Sequence, residues 1–129
     1  MKWDWAEYGD VESLAPFMCI GDFTGRGAKE YAVILVGRHE EKYKIVALTS
    51  DGGDNLVPHE LMSEAGLPYS HFVKTVEPGY YKPGPSATQA GTPRIVRIKR
   101  QGINWGKFES ADNLVYWDGQ KFVEVWMSD

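Results

Sequence analysis

The sequence predicts a mainly β fold with a minor α component: a single compact antiparallel β-sheet domain spanning residues 1–129, with a blade-like meander, one short helix and a C-terminal β-hairpin. Three observations carry this. β-branched and aromatic residues gather in short runs, such as Tyr31 to Val36 and Tyr43 to Thr49, whose length suits strands. Clusters of turn residues, among them Ser50, Asp51, Gly52, Gly53 and Asp54, separate the runs at the close spacing of a meander. The aromatic share of 13%, with five Trp and seven Tyr, favours pleated surfaces and interface anchors. The length fits one core, and 43% hydrophobic with 25% charged residues excludes wholesale disorder.

Taken in order, residues 3–9 alternate aromatic and polar types and read as a short edge strand. Asp10 to Leu14 resemble one helical turn ended by Pro16, since proline cannot continue a helix. Phe17 to Asp22 is an apolar run that enters a Gly-rich loop, and Glu30 to Arg38 holds the best central strand. Arg38 to Lys42 connects it to the strand Tyr43–Thr49. Between 56 and 66 the pattern changes: Leu56, Val57, Leu61, Met62 and Ala65 recur near a 3.6 period and Gly66 supplies a C-terminal cap, which predicts the short helix. His71 to Val76 reads as a strand, Pro78 to Pro93 as a Pro/Gly-rich loop, and Arg94–Lys99 and Ile103–Phe108 as strands.

At the C-terminus, Asn113–Trp117 and Gln120–Met127 flank Asp118 and Gly119, a pair that suits a two-residue type I′ turn. Alternation then places Val115 and Trp117 on one face with Phe122, Glu124 and Trp126, and Leu114 and Tyr116 on the other with Val123, Val125 and Met127. Both faces are apolar, so the hairpin is expected inside a covered sheet, or with one face against a partner.

The most specific constellation is Gly21, Asp22, Phe23, Thr24, Gly25, Arg26, Gly27, Ala28, Lys29 and Glu30, followed directly by the strand Tyr31–Val36. It resembles the FG-GAP or VCBS-type loop of integrin-like propeller blades, where a strand enters a calcium loop and an apolar strand leaves it. The resemblance covers about 20 residues, and a whole propeller needs at least about four blades of four strands, more than this chain can supply. Asp22, Gly25, Gly27 and Glu30 match the first carboxylate, two turn glycines and final acidic residue of that pattern. In that family the loop holds calcium through several carboxylates. Here the third position is Thr24 and the fifth is Arg26, a permanent cation, so the expectation is a metal-free loop stabilised by Asp22, Thr24, Arg26 and Glu30, with Arg26 paired to Asp22 or Glu30. Val115 to Phe122, with Trp126, is also similar to small bacterial proteins of unassigned function that carry one such loop.

Function is read by elimination and by surface. A net charge of −4 repels phosphate backbones and anionic lipid, so nucleic acid is not expected as a partner. No run of eighteen apolar residues occurs and Met1 to Trp5 begin no signal-peptide core, which points to a soluble chain, cytoplasmic as given and periplasmic or secreted if a signal peptide has been removed. Cys19 is the lone cysteine, in an apolar run beside no activating group. His59, Glu60 and Glu64 share a face of the expected helix without the second His of a zinc motif, and the pairs Asp51/Asp54 and Glu40/Glu41 sit in turns. No enzyme activity and no cofactor are therefore expected.

Long proline-restricted loops are often functional, and Pro78–Pro93 carries Tyr80, Tyr81 and Lys82. With Trp117 and Trp126 these are the candidate partner-binding residues. The expected function is a protein-binding module of the inhibitor or toxin-neutralising immunity type; the alternative is an FG-GAP-like ligand-binding or cell-surface module with a residual calcium or carbohydrate site at Asp22.

Overall fold

The computed structural model of the chain describes residues 17–68, 70–83, 95–107 and 111–128. The readings of residues 3–9 and of Asp10 to Leu14 lie outside these, as does the stretch 84–94 of the Pro/Gly-rich loop. All regular structure among the described residues is β, and no helix there is long and apolar enough to cross a membrane.

Strands β1 (Met18–Gly21), β2 (Glu30–Val36), β3 (Lys42–Ser50) and β4 (Leu56–Ala65) pair antiparallel with their neighbours in sequence to form the first sheet. The second uses β5 (His71–Val76), β8 (Gly102–Lys107), β9 (Asp112–Trp117) and β10 (Phe122–Ser128), in the order β10-β9-β8-β5. Between β5 and β8 the chain makes a two-stranded ribbon, β6 (Gly79–Tyr81) and β7 (Val96–Ile98). The expected antiparallel β-sheet domain is thus built from two four-stranded sheets and a ribbon. Their first strands, β1 and β5, lie against each other, and the Thr75 hydroxyl of β5 donates to the Ile20 carbonyl of β1.

Alternation explains the core. Cys19, Ala32, Ile34, Tyr43, Ile45 and Ala47 from the first sheet face Val73, Ile103 and Val115 from the second, around the fully buried Phe23. Each large apolar side chain removed from water in this way contributes about 1.5–3 kcal/mol. The other face of the second sheet is covered by the ribbon, where Tyr81, Val96 and Ile98 pack with Leu114, Tyr116, Val125 and Met127. That double coverage is why both faces of the C-terminal hairpin are apolar.

Two expectations are corrected. Leu56–Ala65 is a ten-residue strand, not the short helix. Its register shifts between Ile45↔Met62 and Val46↔Glu60, which leaves Leu61 as the extra residue of a bulge. Leu61 and Met62 both pack onto the core, so the strand acquires an interval that imitates a helical period. His59, Glu60 and Glu64 consequently share no helix face: His59 and Glu64 point toward the second sheet and Glu60 points away. The C-terminal turn spans 118–121 rather than two residues, because Phe122 pairs with Trp117. The Asp118 carboxylate accepts from the Gln120 and Lys121 N–H groups, and this Asx-type bonding favours the longer loop. The shift lengthens the loop by two residues, so the expected sharing of faces is unaltered.

Candidate functional site

The Gly-rich turn between β1 and β2 is held from two sides. On its exposed side the Asp22 carboxylate accepts the Arg26 N–H at 3.0 Å and the Gly27 N–H at 2.9 Å, and Gly25 and Gly27 supply the positive φ the turn requires. On its buried side Glu30, with no solvent exposure, accepts the Thr24 N–H and hydroxyl, each at 2.8 Å, and the Ser50 N–H at 2.7 Å. Ser50 ends β3, so one carboxylate ties the turn to the sheet's third strand. Contrary to the expected pairing with Asp22 or Glu30, the Arg26 guanidinium donates to the Ser50 carbonyl. Both oxygens of Glu30 already accept from neutral donors, and the carbonyl of the same Ser50 is the acceptor that Arg26 reaches. From the end of β7, Arg100 lies over Gly25, where a Cβ would stand 2.6 Å from its Nε, and reaches the Trp117 carbonyl at 3.3 Å.

A calcium ion needs six to eight oxygens converging on one point. Here Asp22 is spent on the outer side of the turn and Glu30 on the inner, the Thr24 hydroxyl points to Glu30, and two guanidinium groups flank the loop. Among the described residues no three His, Cys, Asp or Glu side chains converge as a metal site. The residues of this turn do not fit calcium; they fit a structural clasp.

The ribbon presents a different surface. Period-two alternation turns Tyr81 inward, where its hydroxyl donates to the Glu77 carbonyl, and turns Tyr80 out to water at 71% exposure. Tyr80 pairs across the ribbon with Arg97, whose guanidinium carbon stands 5.7 Å from the ring centroid, within cation–π range. Ile95, 60% exposed, and the exposed Lys82 and Lys99 flank this pair.

The candidate partner-binding residues therefore do not form one site. Tyr80 and Lys82 are exposed on the ribbon, and Tyr81 is part of its packing. Trp117 lies on the opposite side of the second sheet, its ring 5.0 Å from Phe122 and 5.8 Å from His59, whose Nε2 is 2.9 Å from the Thr49 hydroxyl. Trp126 shares that side at 44% exposure.

Sequence reasoning missed a polar seam between the sheets. The Tyr43 hydroxyl donates to Glu64 at 2.8 Å and lies 2.8 Å from the His71 Nε2. With its one proton given to Glu64, Tyr43 accepts from His71, which assigns the proton to Nε2 and leaves the buried Nδ1 as an unpartnered lone pair. Burial, helped by Glu64, pushes the Tyr43 phenol up to about 12, and burial with the Lys107 charge lowers His71, against an opposing effect of Glu64. Burial likewise pushes the Cys19 thiol up to about 11, so at neutral pH it is a thiol and not a nucleophilic thiolate. These contacts join residues 21 to 28 positions apart, and no local pattern announces them.

Comparison with protein families, with curated proteins and with solved structures gives no match to this chain.

Proposed function

We propose that the chain is a non-enzymatic protein-binding module that meets its partner through the exposed face of the β6–β7 ribbon. One observation carries the reading: Tyr80 stands 71% exposed on a ribbon whose other face is locked into a core. An aromatic side chain held in place on rigid backbone loses little entropy when it is buried by a partner, which is the property of interface anchors. The Arg97 contact orients the ring further. An inhibitor or toxin-neutralising immunity protein is the proposed form of such a module, because both act by occlusion and need no chemistry of their own.

The four-strand meander opened by β1, the Gly-rich turn and β2 supports reading the first sheet as an FG-GAP-like blade whose calcium loop has become a metal-free clasp. Under this reading the turn is scaffold and the ribbon is the contact surface.

The test is quantitative affinity purification with the parent chain and with Tyr80→Ala, followed by titration of each captured protein. A partner whose affinity drops tenfold or more in Tyr80→Ala supports the reading. Partners bound equally by both chains would remove the ribbon from the account. Tyr81→Ala is not an equivalent probe, since that ring is part of the packing.

A further inference from the structure

The chain is acidic overall, yet its charge is sharply divided. From Pro78 to Phe108 the sequence contains no Asp or Glu and six cations, Lys82, Arg94, Arg97, Lys99, Arg100 and Lys107, so all 18 carboxylates of the −4 chain lie elsewhere. The ribbon is the centre of this stretch. Its outward face carries Lys82, Arg97 and Lys99 together with Tyr80 and Ile95, all exposed. The nearest preceding acid, Glu77, is engaged by the Gln101 side-chain amide at 3.0 Å, and Arg100 turns away from this face to cover Gly25.

From this division we infer that the ribbon face is a docking site for an acidic, extended segment of a partner protein with an apolar side chain among its carboxylates. The inference rests on the ribbon being the contact surface and adds the partner's chemistry. Charge complementarity selects acid: three exposed cations and, among the described residues, no carboxylate on the face attract it, while the rest of the chain, with 18 Asp and Glu against eight Lys and Arg, is net negative. Tyr80 and Ile95 give the apolar contact, and the Arg97 guanidinium offers a planar fork to a carboxylate while resting on the ring. A short segment fits better than a phosphate polymer. The paired strands are only three residues long, about 10 Å at the usual rise, and a longer polyanion would run onto the acidic remainder of the molecule.

The experiment titrates the full chain against three fluorescein-labelled probes at low salt: a ten-residue peptide of Asp and Glu with a central Trp, the same peptide with Asn and Gln, and a ten-nucleotide oligothymidylate. Phosphatidylserine vesicles form a fourth arm. The expected result is at least tenfold tighter binding of the acidic peptide than of its amide counterpart, with the gap closing at high salt. It is lost in the triple variant Lys82→Glu, Arg97→Glu, Lys99→Glu, and the affinity falls several-fold in Tyr80→Ala. Equal binding of the two peptides, or tighter binding of the oligonucleotide or vesicles, overturns the inference. If captured partners depend on Tyr80 but not on salt or on the triple variant, the acidic inference fails alone. If nothing bound depends on Tyr80, the ribbon reading fails with it.

Discussion

Replacing Glu30 by Gln changes one atom of the buried clasp and tests how the β1–β2 turn is held. No described Lys or Arg forms an ion pair with Glu30, so among the described residues it is balanced by hydrogen-bond donors: the Thr24 N–H and hydroxyl and the Ser50 N–H. A Gln oxygen in the Oε2 position keeps the Thr24 hydroxyl and the Ser50 N–H, but its NH₂ then confronts the Thr24 N–H. One buried backbone donor is left without an acceptor, at a cost of about 1–3 kcal/mol. Glu30→Ala leaves two such backbone donors as well as the hydroxyl, so about 2–6 kcal/mol is expected, a large part of the roughly 5–15 kcal/mol that holds a domain together. Urea unfolding gives both values, and amide exchange localises them: in Glu30→Gln the Thr24 amide exchanges faster while Ser50 stays protected. A Gln variant within about 0.5 kcal/mol of the parent, with both amides unchanged, would refute the clasp.

Three further outcomes follow from the buried titratable groups. Cys19 reacts with a disulfide reagent at pH 8 only as fast as the chain opens, since burial holds its thiol near 11; rapid stoichiometric labelling of the folded protein contradicts this. Tyr43 ionises near pH 12 in an absorbance titration at about 295 nm, and Tyr43→Phe removes that late step. Because the unfolded phenol gives up its proton near 10, stability falls as the pH rises between 10 and 12. His71 acts at the other end of the scale: its folded value lies below 6.5, so the unfolded chain takes the proton first. The stability that depends on neutral His71 is complete above about pH 6.5 and declines below it. A urea midpoint that stays flat from pH 7 to pH 5 would count against the seam.

Most of the fold is legible where one strand follows one apolar run. His71–Val76 is found with its observed bounds, and β1, β2, β3 and β8 within about two residues, because alternation and turn residues agree there. β4 is hidden by its own bulge. Val57 and His59 face inward at period two, but the extra Leu61 lets Leu61 and Met62 face inward together, and an inward set broken in this way reads as a helical stripe. The bulge and Pro58 also break up an edge that is otherwise long and apolar, so the feature that misleads the pattern protects the sheet. Glu30 shows the complementary case: its place in the turn is legible, but its burial depends on Ser50, twenty positions away.

The ribbon shows why the candidate site was only half visible. Adjacent tyrosines in a strand must face opposite ways, so Tyr80 and Tyr81 cannot both be contact residues once β6 is recognised; read as a loop, nothing separates them. What conceals β6 is its length of three residues between Pro78 and Pro83, too short for a period to register. Its partner β7 supplies the missing information, because Val96 and Ile98 alternate with Ile95, Arg97 and Lys99, and the buried pair fixes which face is outward. The inward face of this ribbon is needed to cover Leu114 and Val125, so its outward residues are free to vary without cost to the core. The tyrosine, isoleucine and three cations exposed on such an unconstrained face are the observation on which the proposed contact surface rests.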